Sequence, residues 1–317
     1  MAGGALVAVA AGLAAALLFV LAARGSFLTL LLGYFAPLPV MVGAISYGLS
    51  VGAGAALVGA LFIAAFFHPA LGAMFLLAIG APAALIAAAA VLAPNAGEPR
   101  RDASPVYAVA GAALVSFATV AAVVGILTWR FGGFQPLLTQ AIADAAPLVK
   151  QMLGDSHASG PVNAEELTRF LVLAAPVALV VSQLLMLVFN LWLAGRIAVI
   201  SGNLPRVWPS LADDLVLPPA FAVAFAVAGG LVFVGGLTGA LAGALAAALG
   251  ASFALQGLAV AHVLTRGASM RYALLFSLYA LIVMLPPWPF CLLGFVGLID
   301  AAFHLRTRKS ASNPPNV

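Results

Sequence analysis

The stretch FLTLLLGYFAPLPVMVGAISYGLSVGAGAALVGALFIAAFFHPALGAMFLLAIGAPAALIAAAAVL (27–92) decides the fold. It contains no Asp, Glu, Lys or Arg, and its one imidazole is His68. Crossing the hydrocarbon of a bilayer takes about 20 apolar residues as a helix. The stretch therefore predicts three spans, 27–47, 49–67 and 70–92, jointed at Tyr47-Gly48 and His68-Pro69. Outward from it, residues 4–23 form a further apolar run stopped by Arg24-Gly25-Ser26. A signal peptide would have a shorter apolar region preceded by Lys or Arg, and neither holds here, so 4–23 reads as a span.

On the other side, Pro94, Asn95, Gly97, Glu98, Arg100, Arg101 and Asp102 mark a polar loop. Further spans are predicted at 106–128, 164–200, 219–234 and 237–265. The last apolar run is broken by Pro286-Pro287-Trp288-Pro289 into 272–285 and 289–305. Composition agrees with this reading. Of the 317 residues, 65% are hydrophobic and 7% charged, against roughly 25% charged in a soluble domain. So few charges cannot coat a water-facing particle. A soluble enzyme, a nucleic-acid binder and a disordered chain are excluded, and the solvent is lipid. The net charge of +4 is scattered between apolar runs rather than gathered into a patch. A single cysteine, Cys291, allows no intrachain disulfide.

The expected architecture is an all-α, polytopic transmembrane helix bundle of 8–10 spans, forming one integral-membrane domain over 1–309 with a disordered cytoplasmic tail at 310–317. With ten spans, one side holds nine cations (Arg100, Arg101, Arg196, Arg206, Arg266, Arg271, Arg306, Arg308 and Lys309) and the other four (Arg24, Arg130, Lys150 and Arg169). The positive-inside rule then places both termini in the cytoplasm. Between spans, residues 134–153 carry apolar side chains at helical spacing and read as an external amphipathic segment, a cap or a lid. Asn163 with Glu165 and Glu166 reads as a helix start. The helix from 164 to 200 would be about 55 Å long at 1.5 Å per residue, with Pro176 inside it.

Signatures of catalysis, nucleotide binding and metal ligation are missing, so no enzymatic activity and no cofactor is implied. What remains is polar groups inside apolar helices, which are costly and hence candidates for function. Gln183 and Asn190, seven residues apart on one helix face, and Gln256 on another helix stand at similar depth. They could bind a substrate together or simply join helices. Near the inner edge lie Arg196, His262, Asp300 and His304. Asp300 and His304 are one turn apart, and Arg196 or Arg271 could neutralise the carboxylate. The Pro-rich breaks at 37–39 and 286–289 read as sharp turns or as broken helices of the kind that hold ligands in transporters. Thr238–Ala251 matches small-residue helix packing, as expected by chance in so Ala-rich a chain.

The run Asn190-Leu191-Trp192-Leu193-Ala194-Gly195-Arg196, with Ser201-Gly202 and Leu204-Pro205-Arg206, resembles the YybS-like family of uncharacterised bacterial membrane proteins. So do Gly297-Leu298-Ile299-Asp300-Ala301-Ala302-Phe303-His304-Leu305-Arg306 and the early Pro37-Leu38-Pro39 with Gly48 and Gly52. Asn190, Arg196, Asp300 and Arg306 match positions that recur in it, without an assigned role. The resemblance implies a multi-pass protein of the bacterial cytoplasmic (inner) membrane. It also implies distant similarity to the substrate-binding subunits of energy-coupling-factor transporters and to the rod-shape protein MreD. The functional expectation is a small-molecule-binding or transport-related membrane subunit, its partners being the bilayer and an energising subunit. The alternative is a structural or scaffolding component of cell-envelope assembly.

Overall fold

The computed structural model describes residues 2–23, 25–92, 103–153, 163–203, 210–303 and 305–306. Among them every regular element is a helix. The order is α1 (Ala2–Ala22), α2 (Phe27–Gly33), α3 (Pro37–Tyr47), α4 (Leu49–Phe66), α5 (Pro69–Phe75), a π-helical turn (Leu76–Gly80), α6 (Ala81–Leu92), α7 (Ala103–Arg130) and α8 (Phe134–Leu153). There follow α9 (Ala164–Ile200), α10 (Leu211–Asp214), α11 (Pro219–Leu231), α12 (Gly236–Leu264), α13 (Arg271–Met284) and α14 (Trp288–Phe303). Among the described residues, seven helical stretches are long and apolar enough to cross a membrane. Three shorter apolar ones are Pro219–Val234, Arg271–Met284 and Trp288–Phe303. The polar loop at 93–102, Arg24, His304 and the tail 310–317 lie outside the described residues.

The chain divides into two compact units. One comprises Met1–Val115, Gln183–Pro219 and Ala251–Val317; the other comprises Ser116–Ser182 and Ala220–Gly250. The first unit packs through missing side chains. A Cβ on Gly12 of α1 would stand 2.5 Å from the Ala55 carbonyl of α4, so these backbones touch only because the residue is glycine. Phe75 is fully buried, and a Cβ on Gly59 would press its ring at 2.8 Å. Phe19 meets the same ring edge-on at 5.5 Å between centroids. With lipid tails as apolar as the side chains, close packing of this kind is a main source of helix association.

Local chemistry sets the helix starts. Ser26 caps α2 by accepting from the Thr29 N–H at 3.3 Å. His68 caps α5, its Nδ1 accepting from the Ala70 N–H at 3.1 Å. In the second unit, Asn163 Oδ1 accepts from the Glu165 N–H at 2.9 Å, as its position before two acids predicts. Helix α9 runs unbroken for 37 residues through Pro176. Helix α8 is a single 20-residue helix containing Pro147, with Gln140 donating to Asp144 at 2.8 Å on its exposed side.

Candidate functional site

Two polar groupings occur in the first unit, and prolines explain one of them. The expected span 27–47 is interrupted at 34–36 and resumes at Pro37. Pro39 has no N–H for the carbonyl of Phe35 four residues earlier. The Leu38 N–H supplies it instead, at 3.0 Å, and so is taken from the carbonyl of Tyr34. The Tyr34 carbonyl accepts from Asn190 Nδ2 on α9 at 2.8 Å. The other Nδ2 hydrogen goes to the Met186 carbonyl at 2.7 Å. Two turns earlier on α9, Gln183 Nε2 donates to the Ala78 carbonyl at 2.8 Å. Ala78 sits in the π-helical turn, and the residue four places on is Pro82, again without an N–H. Thus Gln183 and Asn190, on one face of α9, each supply a hydrogen bond that a proline removed. In a membrane interior this is the established route by which Pro is tolerated.

Asn190 retains one unused group. It is 0% exposed, and its Oδ1 has no hydrogen-bond partner among the described residues. A buried acceptor left unmade costs about 1–3 kcal/mol. On the same stretch of α9, Phe35 of the break meets Phe189 edge-on at 5.9 Å, and Phe189, itself exposed, lies 6.2 Å from Trp192.

The second grouping is ionic. Asp300 of α14 is 1% exposed. Its Oδ2 accepts from Gln256 Nε2 at 2.8 Å, and from Arg306 Nη2 at 2.8 Å and Nε at 3.1 Å. Arg306, 7% exposed, also donates to the carbonyl of Ala212 at 2.7 Å and to that of Leu215. Gln256 Oε1 accepts from the Leu217 N–H at 2.9 Å. Segment 210–217, which joins α9 to α11, is thereby laced to α12 and α14 by its own main chain, with Leu215 and Leu217 buried beneath it. Helices α12 and α14 come close enough because both carry glycine at the crossing. A Cβ on Gly257 would overlap the Leu293 carbonyl, and one on Gly297 would overlap the Phe253 carbonyl. Gln256 adjoins the first glycine and Asp300 follows the second by one turn, so the backbone contact delivers the amide to the carboxylate.

At the outer edge of this node, Arg266 grips Asp213 with two donors, the longer arm at 2.9 Å. That hydrogen bond holds the Asp213 carboxyl below its ordinary range and raises the Arg266 guanidinium. Ser210 Oγ accepts from the Asp213 N–H at 3.3 Å, capping the short α10.

Three expectations change here. Gln256 does not share its hydrogen bonds with Gln183 and Asn190. It joins Asp300, because the glycine crossing outweighs its distance from the helix end. The counter-ion of Asp300 is Arg306, neither Arg196, which is exposed, nor Arg271. His262 bonds with Tyr279 Oη at 2.9 Å rather than entering the carboxylate network, and His304 lies outside the described residues. No group of three or more His, Cys, Asp or Glu that could hold a metal occurs among the described residues.

A family model described as "Predicted membrane protein (DUF2232)" matches residues 13–301. No curated protein and no solved structure matches the chain.

Proposed function

The chain belongs to the DUF2232 family of membrane proteins, and from that premise we propose that it is a small-molecule-binding or transport-related subunit of the bacterial cytoplasmic membrane. The observation that carries the reading is the buried, unpartnered Oδ1 of Asn190 beside the broken helix α2–α3. Discontinuous membrane helices with unused polar groups are where transporters place their ligands. On this reading Asn190 contacts the solute, and Gln183 holds the neighbouring π-helical turn in register. The Asp300 node fixes the connection from α9 to α11.

The test is a thermal-shift screen of small metabolites against the protein in lipid nanodiscs. A compound that stabilises the wild-type protein and loses its effect on Asn190→Leu is the expected result. A screen in which every stabilising compound acts equally on that variant removes the site.

The scaffolding alternative draws on a different observation, that the side-chain amide nitrogens of Gln183, Asn190 and Gln256 all donate within the chain. It requires stable protein partners, which crosslinking in membranes recovers if it holds.

A further inference from the structure

The proposed site at Asn190 joins helical stretches that carry no formal charge. Helices α1 to α6 contain no Asp, Glu, Lys or Arg, and none occurs on α9 between Phe170 and Gly195. Arg196 is six residues beyond Asn190, about 9 Å along the axis, and is exposed. An ionised group placed against the buried Oδ1 would meet no counter-charge on these helical stretches, and burial of a charge is prohibitive without pairing. The unused atom is an amide oxygen, so it accepts and cannot donate. Phe35 of the break meets the ring of Phe189, which in turn lies against Trp192.

Resting on the reading of Asn190 as the solute contact, we infer that the site takes an uncharged, mainly apolar solute carrying a hydrogen-bond donor. The donor, an amide N–H or a hydroxyl, meets Asn190 Oδ1, while the remainder of the molecule displaces hydrocarbon contacts. The side chain's own Nδ2 stays on the Tyr34 carbonyl, so binding completes the amide without breaking the bond that repairs the helix.

A matched set of probes tests this: cyclohexanecarboxamide, cyclohexanecarboxylate, cyclohexylammonium and methylcyclohexane, each added to the protein in lipid nanodiscs while its unfolding temperature is followed. The carboxamide is expected to give a saturable rise of roughly 2–4 °C, with the other three giving none and Asn190→Leu abolishing the effect. Asn190→Asp supplies a check that does not depend on the Leu variant folding. With a carboxylate at the position, the response passes from the carboxamide to the ammonium. If the carboxylate or ammonium stabilises the wild type and needs Asn190 to do so, the solute class is wrong and the binding reading stands. If no probe shifts a folded wild-type protein, or the shifts are identical in the variants, the binding reading at this residue fails as well.

Discussion

The two polar groupings of the first unit solve opposite problems. On α9, neutral amides mend backbone bonds that prolines removed from helices elsewhere in the sequence. At the far ends of α12 and α14, a buried ion pair and an amide fasten the connecting segment 210–217 to helices that are themselves regular. Loss of one amide leaves a carbonyl unpaired, a penalty bounded by one hydrogen bond. Removing one ion leaves the opposite charge stranded in a dry site, which is far more expensive. Asn190 and Asp300, both fully buried, thus differ in consequence according to whether they carry charge.

The largest expected effect follows from that contrast. Asp300→Ala leaves the Arg306 guanidinium buried without its carboxylate and should lower stability by about 3–5 kcal/mol, read by denaturant unfolding in mild detergent. Adding Arg306→Leu should recover only part of the loss, because the carbonyls of Ala212 and Leu215 then lack donors. Full recovery would show that the lacing of 210–217 contributes nothing. Next comes the crossing that assembles the node: Gly257→Leu drives a side chain into the Leu293 carbonyl and should cost about 1–3 kcal/mol or more. Gly111→Ala on α7, with no atom within 4 Å of the added carbon, should be neutral or slightly stabilising.

The neutral grouping gives a smaller and more diagnostic effect. Gln183→Leu should cost about 0.6–1.7 kcal/mol. In a Pro82→Ala background the restored N–H can serve the Ala78 carbonyl, and the same substitution should become nearly silent. A double-mutant cycle measures this coupling, and additive values would break the account of Gln183 as a repair for Pro82. Smallest is Asp213→Asn. The pair with Arg266 is partly exposed and contributes less than about 1 kcal/mol, screened by salt. Because the folded Asp213 titrates below its ordinary value of 3.8, its contribution is complete above that value. It is lost as the pH falls through the lower folded one, so the difference between wild type and variant should close in strong acid.

Much of the helix framework was legible because lipid makes length and charge decisive. The described helices fall on the apolar runs, with ends near Gly48, Pro69 and the Pro286–Pro289 group. The pairing of Gln183 with Asn190 followed from their seven-residue spacing. Their roles had a readable signal too, since Pro82 stands four residues after Ala78 and Pro39 four after Phe35. Arg306 was harder. Six residues from Asp300, it sits at a separation that does not bring neighbours face to face on a helix, and only its long side chain closes the gap. The Gly257–Gly297 crossing was hidden by abundance, for a chain with 32 glycines offers many such matches. Gln256 was grouped by depth, while its partner was chosen by which backbones touch.

The lacing of 210–217 bears on how this molecule is made. Gln256 leaves the ribosome 44 residues ahead of Asp300 and 50 ahead of Arg306, an interval of roughly 2.5–10 s at 5–20 residues per second. Throughout it, the amide can hold the segment behind it only through the Leu217 N–H, while the carboxylate and guanidinium that complete the lacing do not yet exist. Closure of this corner is therefore a late event in biogenesis, and a nascent chain halted within that window keeps its polar corner open.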